Sequence, residues 1–146
     1  MFLNELNKEE AVAFINLVKE FANVDEIFAK EEKTLIADYI KELSLKEEEV
    51  KELTLAEIEI ILKNSTDRAK KIIYFELVGL ALADGEYEHK EKVFLSDLAY
   101  SFNIGLSRRL EFMDFFKHVK SIYDFTVVDY DNKIELLKEH AEKLLA

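Results

Sequence analysis

Four carboxylates crowd one short stretch of this chain: Asp84, Glu86, Glu88 and Glu91. They follow an apolar run from Ile72 to Ala83 in which Glu76 is the one charged residue. Asp25 and Glu32 repeat the seven-residue spacing of Asp84 and Glu91. Carboxylate oxygens suit hard divalent ions such as calcium or magnesium better than zinc, which favours nitrogen and sulfur ligands. Asp25 and Asp84 each follow an apolar helical pattern, and a helix C-terminus is the unfavourable end for negative charge. Like charges this close also repel. A divalent cation would offset both effects, and His89, beside Glu88, could add an imidazole. The same residues also suit a purely structural role. Asp84-Gly85 can stop a helix, with Gly85 left-handed at its end and Asp84 forming an Asx-type turn. Glu91 can satisfy backbone donors at the next helix start, while water and salt screen the turn.

Other chemistry finds little support. Cysteine is absent, which removes disulfides, thiolate nucleophiles and cysteine-held zinc. A calcium loop of the EF-hand kind needs an acid at its twelfth position. Counted from Asp25, Asp84 or Asp129, that position holds Ile36, Leu95 or His140. Neither a His-Glu-x-x-His zinc motif, nor a glycine-rich phosphate loop, nor a serine elbow occurs. No residue pattern argues for an enzyme. A carboxylate-based hydrolase would require a pocket with at least two converging acids.

Those carboxylates need elements to position them. The chain has 146 residues, no proline and three glycines, so helices meet few breakers and an all-α domain is expected. Asn7 is suited to cap a helix from Lys8 to about Asn23, with the stripe Ala11, Phe14, Ile15, Val18, Phe21 and Ala22. Val24 to Phe28 reads as a connector. A second helix from about Ala29 carries Leu35, Ile36, Tyr39, Ile40 and Leu43. Ser44 with Glu47, and Thr54 with Glu57, match the capping box and predict short helices over about 45–52 and 55–63. The central helix spans about Arg68 to Ala83 and is apolar on nearly every side, so other helices should surround it. Its Glu76 is expected at a helix edge, reaching solvent or Lys71, and its Gly79 suggests close packing of another helix. A helix from Glu88 to Phe102 follows, then a turn with Gly105 at positive φ. Ser107 is placed to cap a long aromatic helix that Thr126-Val127-Val128 ends. Asp129 or Asp131 caps the last, at about 131–145.

Set 59 residues apart, the two halves match. Phe14 meets Ile73, Val18 meets Leu77, Ala22 meets Ala81, Leu35 meets Phe94, and Tyr39 meets Leu98. Polar residues coincide too: Asp25 with Asp84, Glu32 with Glu91, Lys33 with Lys92, and Asp38 with Asp97. The expectation is one domain over 1–146: repeat halves at about 8–63 and 66–128 form a pseudo-two-fold duplicated helix hairpin within a bundle of about seven to eight helices.

The stretch Leu80-Ala-Leu-Ala-Asp-Gly-Glu86, followed by Glu91 and the apolar Phe94, Leu95 and Leu98, resembles the tellurite-resistance TerB-like family. The resemblance is best over about residues 68–107. It implies an all-α pseudo-two-fold domain, a role in bacterial stress-response assemblies, and a metal ion held by acids near the hairpin turns. The matching positions are Asp84 and Glu91, with Asp25 and Glu32 as first-half counterparts. The first half departs by reading Asp25-Glu26 where Asp-Gly is expected.

Charge narrows the partners. A net charge of −11 repels phosphate backbones and anionic membranes, so nucleic acid is not expected. The longest apolar run is too short to span a bilayer. The N-terminal Met-Phe-Leu-Asn-Glu lacks the signal-peptide pattern, and a cytoplasmic protein is expected. Two leading readings follow: an acidic metal-binding or adaptor module, and a metal-free protein-interaction domain. An exposed apolar patch beside the acidic surface would favour the latter.

Overall fold

A computed structural model describes the backbone of residues 2–24, 26–83, 89–124 and 130–146, with side chains throughout except at 26–31, 83, 120–124 and 130–136. Among these residues the chain is all-helical. The helices are α1 (Lys8–Val24), α2 (Glu26–Glu42), α3 (Leu55–Lys63), α4 (Asp67–Ala83), α5 (His89–Ser101), α6 (Leu106–Asp124) and α7 (Tyr130–Leu145). Two single 3-10 turns, Leu3–Glu5 and Glu47–Glu49, complete the order. No helix among the described residues is long and apolar enough to cross a membrane.

The expected central position of α4 holds. It packs against α1, α5, α6 and α7, and Ile72, Ile73, Leu77, Val78 and Ala81 are buried. On its α6 side the contact is aromatic: the Phe75 ring lies 4.8 Å from Phe116 and 5.3 Å from Phe115, and Tyr74 meets Phe112 edge-on at 5.3 Å. Gly79 lies on this face. A Cβ there would stand 2.8 Å from a Phe116 ring carbon, so the glycine permits the close approach. Leu137, Ala141, Leu144 and Leu145 of α7 close the core. Arg68 ties the chain ends to α4 by binding Glu5 at 2.8 Å and Glu142 at 3.0 Å. Its guanidinium holds the Glu5 carboxyl below its usual range.

Both helix hairpins begin and end alike. Glu10 N–H donates to the Asn7 side chain at 2.9 Å, and Ala69 N–H donates to the Thr66 hydroxyl at 3.1 Å, 59 residues on. At the other end, Leu45 N–H reaches the Ile40 carbonyl (3.0 Å) and Ile104 N–H reaches that of Ala99 (2.9 Å). Ser44 N–H to Lys41 and Asn103 N–H to Tyr100 make the second matched pair, at 3.1 and 3.2 Å. Each end is a Schellman closure around a left-handed residue: Ser44 at φ 56° and Asn103 at φ 57°.

That geometry corrects several expectations. Ser44 caps no helix; it terminates α2, and the expected 45–52 helix shrinks to Glu47–Glu49, where Glu49 accepts from Lys46 N–H at 2.9 Å. The left-handed residue before α6 is Asn103, not Gly105. Gly105 instead presents its carbonyl to Arg109 N–H at 3.0 Å, so α6 starts at Leu106 and Ser107 lies inside its first turn. The connector expected over Val24–Phe28 is narrower: α1 runs through Val24 and α2 starts at Glu26. Asp131 lies inside α7 and does not cap it, while Asp129 and Thr126-Val127-Val128 lie outside the described residues. Glu76 accepts a long hydrogen bond (3.5 Å) from the Tyr39 hydroxyl, whereas Lys71 donates to the Ala146 main-chain oxygen. Burial, reinforced by Glu76 and Glu42, raises the Tyr39 phenol well above its ordinary value. Thr54 and Glu57 do form the expected box, with the Glu57 N–H to Thr54 hydroxyl bond at 3.2 Å.

Candidate functional site

The expected acidic site is described at only two of its positions. Glu91, in the first turn of α5, is 1% exposed. Glu32 is half-buried on α2 and His89 is exposed. Asp25, Asp84, Glu86 and Glu88 lie outside the described residues. Among the described residues no three histidine, aspartate or glutamate side chains converge as metal ligands would.

A wide concave surface among the described residues lies elsewhere, between α3 and α5 over α1. Its position begins with Asn16, a buried polar residue of α1. The Asn16 amide donates to the Lys51 carbonyl at 2.9 Å and accepts from Leu53 N–H at 2.9 Å. A third bond returns to the Val12 carbonyl. These bonds hold the 51–53 linker against α1, and the Thr54 capping box starts α3 immediately afterwards. Lys8, paired with Glu49, adds a surface tie to the same segment. On the opposite wall, Phe94 of α5 meets Phe21 of α1 edge-on at 5.6 Å.

The resulting groove has a volume of about 920 Å³. Leu17 of α1, Ile58 and Leu62 of α3, Phe94 and Leu98 of α5, and Phe102 just after α5 contribute its apolar lining. Phe94 and Leu98 pack against the core without being sealed in it. They are only half-buried because the groove opens beside them. Leu80 is half-buried against the core as well, while Ile73, Leu77, Ala81, Leu95 and Phe102 are buried. Two rim residues are unusually open for their type: Leu55 is 54% exposed and Tyr100 is 87% exposed. Lys63, Lys70, Glu59 and Asp97 supply charge.

Compared with family models, curated proteins and solved structures, the chain matches none of them.

A second hollow, about 340 Å³, lies between the starts of α1 and α4 and is polar. Its charged groups already have internal roles. Glu10 accepts from Asn7 N–H in the α1 cap, and Arg68 is held by Glu5 and Glu142. The α3–α5 groove differs, because its apolar lining is open to solvent. Sequence reasoning placed α3 and α5 but not the opening between them. The available signal was Tyr100, which stands outside the apolar register of α5.

Proposed function

We propose that this chain is a non-catalytic binding module of the TerB-like kind, an adaptor that works by protein contact in a bacterial stress-response assembly of the cytoplasm. The observation that carries this reading is the open apolar groove between α3 and α5. A cleft of this size, walled by helices and rimmed by exposed leucine and tyrosine, is the surface that partner side chains fill. The matched caps at both ends of the two hairpins support a duplicated, pseudo-two-fold hairpin, as the TerB-like resemblance implies. Caps that coincide at Asn7 and Thr66, and again at Ser44 and Asn103, are not required by amphipathic patterning alone.

An apolar fluorescent dye such as bis-ANS, added to the folded protein at a chain concentration low enough to keep it monomeric, tests the groove. Saturable enhancement near one dye per chain is expected, with thermal unfolding still cooperative. A folded protein that leaves the dye dark would contradict the reading.

A second reading keeps the metal ion, and the crowding of acids over residues 84–91 of the sequence favours it. Asp84 and Glu91 would hold the cation, which would offset the repulsion between like charges. Glu86 and Glu88, with Asp25 and Glu32 in the other half, would complete the acidic set. Calorimetric titration of calcium, magnesium, zinc and manganese into chelator-stripped protein decides it. The expected result is sub-millimolar calcium or magnesium binding, lost in Asp84→Asn and Glu91→Gln. Absence of binding to the parent protein, or equal binding by both variants, would remove the ion.

A further inference from the structure

We propose that the occupant of the α3–α5 groove is a second copy of this chain, so that the protein is an isologous dimer through this face. The inference rests on the groove being the working surface. In a two-fold interface one patch meets itself, so it must carry both halves of every complementary contact. This patch does. It holds a hole, lined by Ile58, Leu62, Phe94 and Leu98, and beside that hole the protruding ring of Tyr100. Tyrosine is the kind of side chain that anchors such interfaces, being large, rigid and tolerant of one wet end.

The charges are self-complementary as well. Lys63 ends α3 with Glu59 one turn before it, Lys70 lies in the first turn of α4, and Asp97 is on α5. A two-fold axis set between these lysines and acids would bring the lysines of one copy towards the acids of the other. None of these four side chains is in an ion pair within the chain among the described residues. The patch is thus locally neutral although the whole chain carries −11, and repulsion between distant surface charges is largely screened beyond about 8 Å at physiological ionic strength.

Sedimentation equilibrium from low to high micromolar concentration is the test. The parent protein should dimerise reversibly, and Tyr100→Asp should weaken the dimer by at least about thirtyfold. Lys63→Glu with Lys70→Glu gives an all-acidic patch, and Glu59→Lys with Asp97→Lys gives an all-basic one. Each double variant alone should be monomeric, and an equimolar mixture should form a heterodimer. All three variants should melt like the parent, because their side chains are at or near the surface. A dimer that survives these substitutions forms through another face and overturns the inference. So does failure of the charge-reversed pair to combine. A parent that stays monomeric yet binds the dye in the groove overturns the second copy and leaves the groove to a different partner. A monomer that also leaves the dye dark overturns the groove reading too.

Discussion

Leu77→Asp should abolish folding. Leu77 is fully buried at the middle of α4, where α1, α5 and α6 converge. Removing a leucine from such a position typically costs about 2–5 kcal/mol through lost burial and the cavity left behind. Aspartate adds an unpaired charge among apolar side chains, which costs several kcal/mol more or forces the carboxyl to stay protonated. A domain of this kind has about 5–15 kcal/mol of stability in total, so the sum approaches or exceeds what is available. The expected observation is loss of the cooperative thermal transition at neutral pH. A melting temperature within a few degrees of the parent would show that α4 is not the centre of the core.

Asn16→Leu is the second large effect, and its cause is polar. The substitution nearly conserves volume but removes every bond the Asn16 amide makes to the 51–53 linker. Leu53 N–H and the Lys51 carbonyl lose their recorded partner while the linker still packs on α1. Both bonds are part-buried, and leaving such backbone groups unsatisfied costs up to about 1–3 kcal/mol each, so a loss of about 2–4 kcal/mol is expected. For a chain of this length that lowers the melting midpoint by roughly 5–15 °C. The loss should be local as well as global: amide exchange over 51–63 should accelerate more than exchange in α4. If the midpoint and the exchange rates are unchanged, Asn16 does not hold this wall of the groove.

The two hairpins were legible because their apolar positions keep helical register over 14–22 and again over 73–81. The matched caps lay partly in plain view: Asn7 reads as a cap, and Thr54 with Glu57 reads as a box. Ser44 with Glu47 has the same spelling as that box and a different fate. What separates them is the end of α2. The apolar stripe finishes at Leu43, and the Schellman closure needs the next residue left-handed, so Ser44 is consumed as a terminator before it can cap anything. Serine seldom adopts positive φ, and nothing local announces it. At the matching position Asn103 is the better candidate, since asparagine is the residue besides glycine that tolerates this conformation most often. Gly105 drew attention by type alone.

The groove was illegible for a different reason. Amphipathic periodicity assigns Phe94 and Leu98 to an inward face without saying whether another element covers it. Coverage depends on the length and placement of α3. This nine-residue helix is anchored by Asn16 and by its Thr54 cap, and it leaves part of the α5 wall bare. The acidic stretch was legible as a charge pattern, and Glu91 at its end is buried in the first turn of α5. Phe94 and Leu98 pack against the core and also line the opening, and the two functional readings separate there.

The account turns on whether the exposed rim of this groove binds apolar matter. Dye fluorescence with Leu55→Lys and Tyr100→Asp proteins measures that most directly, because both side chains lie on the rim and are open enough to change without unfolding the chain. With every protein diluted below the range in which it self-associates, the predicted result is strong enhancement with the parent and little with either variant, at unchanged melting temperature. Equal enhancement in parent and variants would place the apolar site elsewhere on the molecule and contradict the claim.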